Sequence, residues 1–461
     1  MWYSSYLRHG VDHGLQRVAR RTFYEGAGLE RLEQLSLVTG ALPLVLTALG
    51  ALGACWLLFG GRTHSRRAVP IGTTAALVLT VVLYIVVEKV WHPFPDPIAT
   101  EVYAWIGIGV AGLVLLVPRM RRSTRWIGRI VTVLAAVALV VTAGVQINRV
   151  YGQYPTIADA LGLPDSNRID FANLPGPTGR TVDGTPLDSV WKAPQNLPSA
   201  GRVTSAAIPG AKSGFAARDA QLYLPPAYFV DPRPLLPVLV LLTGQPGDPR
   251  DWFSAGKLAV TMDDFAKEHG GLAPIVVIAD GLGSELANPL CMDSKLGNAG
   301  SYLGVDVPAW TKANLQVNPD PKAWAIAGLS YGGTCALQMA TNYPDVYPTF
   351  IDMSGQTEPT LGDRQRTVDA AFGGDESAYD KVNPANLMAS RTYPNSAGVF
   401  VVGSDDKDFR SGQQAMYDKA KAAGMDVLYV ELPGGHSWAV WQPGLRTQLG
   451  WLAHRLGLTA S

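Results

Sequence analysis

The stretch that decides the fold is WAIAGLSYGGTCAL, Trp324 to Leu337. An apolar run meets a Gly-x-Ser-x-Gly turn, and helix-forming residues follow. A buried strand running through a tight turn into a helix is the setting in which a serine hydroxyl stands exposed above a sheet. Gly-x-Ser-x-Gly alone is a weak signal in a chain of 461 residues with 49 glycines. Its context makes Ser330 a candidate nucleophile, with Gly328 and Gly332 needed because the turn leaves no room for a Cβ.

Outward from this stretch the pattern repeats. PVLVLLTG, PIVVIADG, AWAIAGLS, TFIDMSG, AGVFVVGSDD and DVLYVELPG are near-continuous apolar runs, suited to parallel strands buried on both faces. RVTSAAIP and DAQLYLPPAY alternate like half-buried strands. AVTMDDFAKEHG, TCALQMATNYP, SGQQAMYDKAKAAG and LRTQLGWLAHRLG lie between or after these runs as helices. Strands alternating with helices predict a doubly wound, mostly parallel α/β domain over 201–461. In such sheets function gathers at the carboxyl ends of the strands.

The first third is different. Stretches 35–59, 69–87, 98–117 and 127–147 are long and apolar enough to be transmembrane helices, since a crossing takes roughly 20 residues. Residues 1–34 form a tail or an interfacial helix. The Pro- and Gly-rich stretch 148–200 is a linker or a surface-hugging lead-in. Arg62, Arg66 and Arg67 follow the first span, and Arg119, Arg121, Arg122 and Arg125 follow the third. Positive loops stay in the cytoplasm, which places the carboxy-terminal domain outside the cell. Arg17, Arg20, Arg21 and Arg31 argue for the opposite arrangement.

With 38 basic and 38 acidic side chains the chain carries no net charge, and nothing points to nucleic acid. The few histidines lack zinc spacing, Cys-x-x-Cys is absent, and no phosphate-binding glycine loop occurs, so neither a metal nor a cofactor is expected.

A serine hydroxyl needs a base to take its proton. His436, on the Gly-rich loop of LPGGHSWAVW after the last strand, fits that role. His454 falls on a helical pattern. The base needs an orienting carboxylate, and GSDDKDF offers Asp405, Asp406 and Asp408. The Gly-x-x-Asp turn favours Asp406, and the order Ser330, Asp406, His436 is that of α/β-hydrolases. The oxyanion of an acyl transfer would find donors in the backbone N–H groups of Tyr331 and of Gln245, the latter in LLTGQPGDPRDW after the third strand.

On AGLSYGG, HSWAVW and GSDDKDF, residues 201–458 resemble the esterase D and antigen 85-like branch of the α/β-hydrolases, which includes mycolyltransferases. The resemblance implies a serine esterase or acyltransferase with Ser330, Asp406 and His436 as its triad and Tyr331 and Gln245 as oxyanion donors. Four spans ahead of such a domain look like cell-envelope esterases, so a multi-pass membrane location and an ester or lipid-like substrate are implied. Thr243 and Pro246 stand where mycolyltransferases carry an Asp and an Arg that hold trehalose, and the resemblance does not extend to that acceptor. Trp438 and Trp441 are candidates for lining a substrate site or for packing the last helix. Cys291, in a long insertion after the fourth strand, could bridge Cys335 and pin that insertion. Two other readings compete: an idle hydrolase domain serving as a scaffold, and a lipid-transporting or lipid-sensing membrane protein with an accessory domain.

Overall fold

The computed structural model describes residues 32–59, 64–163 and 167–460. The expected interfacial helix with Arg17, Arg20, Arg21 and Arg31, and Arg62 of the first basic loop, lie outside the described residues. The chain divides into two compact units, one of residues up to Val81 with Thr100–Leu163, the other of Val82–Ala99 with Pro164–Ser461.

Four helices, α1 (Ala41–Leu58), α2 (Arg66–Trp91), α3 (Thr100–Arg122) and α4 (Trp126–Tyr151), are each long and apolar enough to cross a membrane. α2 runs past the expected residue 87 because its ends open into wider π-type turns, and these carry Glu88 and Lys89 into the helix. α3 continues through Pro118 to Arg122, beyond the expected residue 117. Small residues set the contact of α1 with α4. A Cβ on Gly53 would stand 2.5 Å from the Ala135 carbonyl oxygen, and Thr142 Oγ1 donates to the Leu46 carbonyl at 2.7 Å. Apolar surface gives no preference for neighbour over lipid inside a bilayer, so close backbone approach and interhelical hydrogen bonds carry such packing.

The second unit is built on an eight-stranded sheet of β1 (Arg202–Ala206), β2 (Ala220–Leu224), β3 (Val238–Leu242), β4 (Ile275–Ile278), β5 (Trp324–Leu329), β6 (Thr349–Met353), β7 (Ala397–Gly403) and β8 (Asp426–Leu432). The spatial order is β8-β7-β6-β5-β3-β4-β2-β1. β2 runs antiparallel to β1 and β4, and the six strands from β8 to β4 are parallel. Residues of β3, β4, β5 and β6 are buried throughout, as their unbroken apolar runs require of strands covered on both faces. Helices α5 (Leu258–Glu268), α6 (Tyr331–Asn342), α7 (Arg364–Phe372), α8 (Arg410–Ala422) and α9 (Trp438–Arg455) surround it.

α9 begins earlier than the sequence pattern implies. The helix expected over LRTQLGWLAHRLG starts instead at Trp438 and passes through Pro443 and Gly444. The missing Pro443 N–H costs one hydrogen bond, whereas burial of Trp438, Val440, Trp441 and Leu445 holds the segment helical. The stretch after residue 166 lies against the domain: Thr181 and Val182 pair with Arg233 and Pro234, and Leu187 N–H donates to the Gly457 carbonyl at 2.9 Å.

Candidate active site

Because β3, β5, β7 and β8 are parallel, the segments that follow them emerge at one edge of the sheet. Four sequence-selected segments therefore meet there without being near in sequence: the loop of Gln245, the turn of Ser330, the acidic turn and the loop of His436.

Ser330 joins β5 to α6 with φ 51° and ψ −121°, a backbone conformation that costs energy for a residue with a Cβ. Its neighbours impose it. A Cβ on Gly328 would collide with the Gly332 carbonyl, and one on Gly332 would stand 2.5 Å from the Thr243 oxygen and 2.6 Å from the Leu242 oxygen. The Ser330 N–H donates to the Met353 carbonyl at 2.7 Å, which ties the elbow to β6. Ser330 is 9% exposed, enough for its hydroxyl to reach His436.

The separation of Ser330 Oγ from His436 Nε2 is 3.0 Å, and that of His436 Nδ1 from Asp406 Oδ2 is 2.9 Å. Of the three acids in the turn, Asp405 and Asp408 are exposed and Asp406 is buried. The turn is stitched to the histidine loop by Ser404 N–H to the Leu432 carbonyl at 2.8 Å and Asp405 N–H to the Gly434 carbonyl at 2.9 Å. Phe409 stacks on the imidazole with ring centroids 4.0 Å apart, and Trp441 meets it edge-on at 4.9 Å. Trp438 packs edge-on against Trp252 at 5.1 Å. Both indoles thus lie on α9 and are buried, with Trp441 the one beside the imidazole.

The Tyr331 N–H is the first of α6 and lies ahead of the first intrahelical hydrogen bond, so it is free to face a ligand. Gly244 is held so close to the elbow that a Cβ there would stand 3.4 Å from Ser330 Cβ, and Gln245 is the next residue of that loop. The Gln245 side chain is turned to the insertion, donating to the Leu286 carbonyl at 2.9 Å and accepting from Asn288 Nδ2 at 3.1 Å. Cys291 and Cys335 form a disulfide with Cα atoms 5.4 Å apart, which joins this insertion to α6. The Tyr331 hydroxyl, buried beside that bridge, donates to the Gly281 carbonyl at 3.0 Å.

Sequence reasoning passed over several residues around the site. Phe409 ends the acidic motif but carries no chemical signal of its own. Gln356, after β6, donates its backbone N–H to Thr334 Oγ1 at 2.8 Å and its side-chain amide to Asp96 Oδ2 at 2.6 Å. Asp352 is fully buried under α6, and burial pushes its carboxyl up to about 7. One of its oxygens accepts from Gly355 N–H at 2.9 Å. The other and Gln413 Oε1 are both buried acceptors without a donor, an arrangement that a proton on the carboxyl resolves. Among the described residues, no group of three or more His, Cys, Asp or Glu side chains is placed to hold a metal ion.

The strand order and the strand-to-helix elbow define an α/β-hydrolase fold. Residues 216–452 match the esterase family model. A Corynebacterium glutamicum protein of uncharacterized function is 39% identical over 424 residues, covering 91% of this chain and 96% of its own. The chain belongs to the esterase family. It is also similar to the diacylglycerol acyltransferase/mycolyltransferase Ag85C of Mycobacterium avium, with 25% identity over 176 residues, 32% of this chain and 49% of that protein. Among solved structures, an S-formylglutathione hydrolase from Agrobacterium tumefaciens is similar at 17% identity and a TM-score of 0.48, over 57% of this chain and 98% of its own.

Proposed function

We propose that this chain is a membrane-anchored serine esterase or acyltransferase that works through an acyl-enzyme on Ser330, with its hydrolase domain outside the cytoplasm and an ester of the cell envelope as substrate. The observation that carries the reading is the line from Ser330 Oγ through the imidazole of His436 to Asp406, with both separations at hydrogen-bond distance.

In this reading His436 Nε2 takes the hydroxyl proton as Ser330 Oγ attacks the ester carbonyl. Asp406 accepts from Nδ1–H, fixes the tautomer, and stabilises the imidazolium that forms. The backbone N–H groups of Tyr331 and Gln245 receive the oxyanion; one such donor is worth roughly 10²- to 10³-fold in rate. Collapse expels the alcohol with the proton from His436, leaving an ester on Ser330. Water or a second alcohol then attacks that ester, giving its proton to His436, and Ser330 is released with its hydroxyl restored. Phe409 and Trp441 hold the imidazole plane during both halves.

The exterior placement is supported by the arginines clustered at the junction of α1 with α2 and at the junction of α3 with α4, and by the Cys291–Cys335 bridge, since disulfides persist in oxidising compartments. An idle scaffold has no physical reason to keep a strained serine in line with an imidazole and a buried acid. The test is labelling of membranes with a fluorophosphonate, wild type against Ser330→Ala. Labelling is expected in the wild type alone; labelling in both, or in neither, removes the nucleophile.

A further inference from the structure

The segment between α2 and α3, residues 92–99, belongs to the same compact unit as the hydrolase domain, and it is docked there at several points. Arg366 Nη2 donates to the His92 carbonyl at 3.3 Å. A Cβ on Gly362 would stand 3.5 Å from the Pro95 oxygen. Gln356 Nε2 donates to Asp96 Oδ2 at 2.6 Å. The segment is closed on itself by Ile98 N–H donating to Glu88 Oε1 at 3.1 Å. Two crossings, α3 and α4, separate it from the domain, so segment and domain emerge on the same face of a bilayer.

Asp96 is where this segment meets the chemistry. Its partner Gln356 is bonded through its backbone to Thr334 Oγ1, and Thr334 N–H donates to the Ser330 carbonyl at 3.0 Å. Two residues, Gln356 and Thr334, thus connect Asp96 to the elbow. Burial pushes the Asp96 carboxyl up, while the Gln356 amide and the imidazole of His436 pull it back, and Asp408 and Asp406 add to the rise. Asp96 also lines a cavity of about 610 Å³ shared with Glu88, His92, Phe94, Asp363 and Arg366.

Building on the serine-esterase reading, we propose that residues 92–99 form a wall of the active site and that Asp96 is a positioning and specificity residue. Its carboxylate supports the imidazolium of His436 and selects against substrates with an anionic group next to the ester. The spans would then do more than anchor, because the turn joining two of them completes the site. The charged groups around this carboxylate are Glu88 and Lys89 at the end of α2, Asp363 and Arg366 at the start of α7, and Asp406, Asp408 and His436 at the strand ends. Arg366 and Lys89 are the cations of this set, so removal of Asp96 leaves the cavity more positive.

Full-length protein in detergent or nanodiscs, assayed with p-nitrophenyl butyrate and with the hemisuccinate ester, tests this. In Asp96→Asn kcat for the neutral ester should fall by about threefold with KM little changed, because the carboxylate no longer stabilises the imidazolium that forms as Ser330 attacks. The preference for the neutral over the anionic ester should narrow by about threefold or more, an effect of about 0.6 kcal/mol converted to rate. Asp96→Glu should restore both. Gln356→Met keeps the carboxylate but removes its tether, and should move the ester preference the same way even where Asp96→Asn folds poorly. A kcat and an ester preference that stay where they are in both variants, with Ser330 still labelled by fluorophosphonate, would overturn the wall. Loss of labelling in the wild type would instead overturn the esterase reading beneath it.

Discussion

Apolar letters mean opposite things in the two units. In α1 and α2 they face outward: Phe59, just past the end of α1, is 72% exposed, and Ile71 is 70% exposed. In β3 to β6 the same kinds of residue are completely buried. A helix whose outward surface is apolar needs hydrocarbon around it, and its packing rests on small residues such as Gly53. A strand whose two faces are apolar needs helices over both, and its packing rests on core volume. The spans, among the described residues, hold polar contacts chiefly where α1 meets α4, as with Gln146 Nε2 donating to Thr47 Oγ1 at 2.8 Å.

The sharpest way to break this division of labour is to remove chemistry from the domain at a side chain outside its buried core. His436→Ala should lower turnover by roughly 10⁴-fold while leaving the circular dichroism spectrum and the melting temperature close to wild type. A loss below tenfold would mean that the imidazole is not the base. Next in size are the packing tests, one in each unit. Gly332→Ala drives a Cβ against the carbonyls of Leu242, the last residue of β3, and of Thr243 just after it, and should destabilise the domain by about 1–3 kcal/mol, with activity lost alongside. Gly53→Ala meets the Ala135 carbonyl in the same way. It should weaken the membrane unit, read as increased protease cleavage among the spans in detergent, while Ser330 still labels. Gly450 and Gly144 have open space beside them, so their alanine variants serve as neutral controls in each unit.

Removing the Cys291–Cys335 bridge with Cys291→Ala should cost about 2–4 kcal/mol, measured by chemical denaturation. Asp352 gives a smaller, pH-shaped effect. Its folded value of about 7 lies above the ordinary 3.8, so the folded protein holds an extra proton between those values. Stability from this group is fully present below the unfolded value and is lost as pH rises through about 7. Asp352→Asn keeps the shape without the proton, and its melting temperature should fall less between pH 6 and 9 than the wild type's. An equal fall in both proteins would show that Asp352 does not titrate in this range.

Much of the fold was legible because strands buried on both faces announce themselves as unbroken apolar runs, and all eight runs read as strands are strands. The candidate nucleophile, base and acid were legible because each needs a rare setting: a glycine-flanked serine after a strand, a histidine on a glycine loop, an acid after Gly403. What was not legible depends on tertiary distance. The start of α9 at Trp438 was missed, since local propensity has no knowledge of the core that holds Trp438 and Trp441. Gln356, Phe409 and Asp96 carry no motif; they matter only because β6, the acidic turn and a segment more than two hundred residues earlier in the chain come together. The choice among three neighbouring acids also rests on burial, which the letters GSDDKDF do not record.

That choice yields the finest test. Asp405 and Asp406 are adjacent in sequence and identical in chemistry, yet one is exposed and the other is buried at 4% exposure with an oxygen 2.9 Å from the imidazole. Amide replacement of the buried one leaves a group that can hold the imidazole in the wrong tautomer, so Asp406→Asn should cost on the order of 10⁴-fold in kcat. Asp405→Asn removes a charge that water already screens, and kcat should stay within about twofold. If Asp405→Asn were the variant to collapse, the acid turn would have to pivot on Gly403 so that the exposed carboxylate reaches His436. The bonds from Ser404 and Asp405 N–H to the Leu432 and Gly434 carbonyls oppose that pivot, because they fix the turn to the histidine loop on the side that directs Asp406 inward.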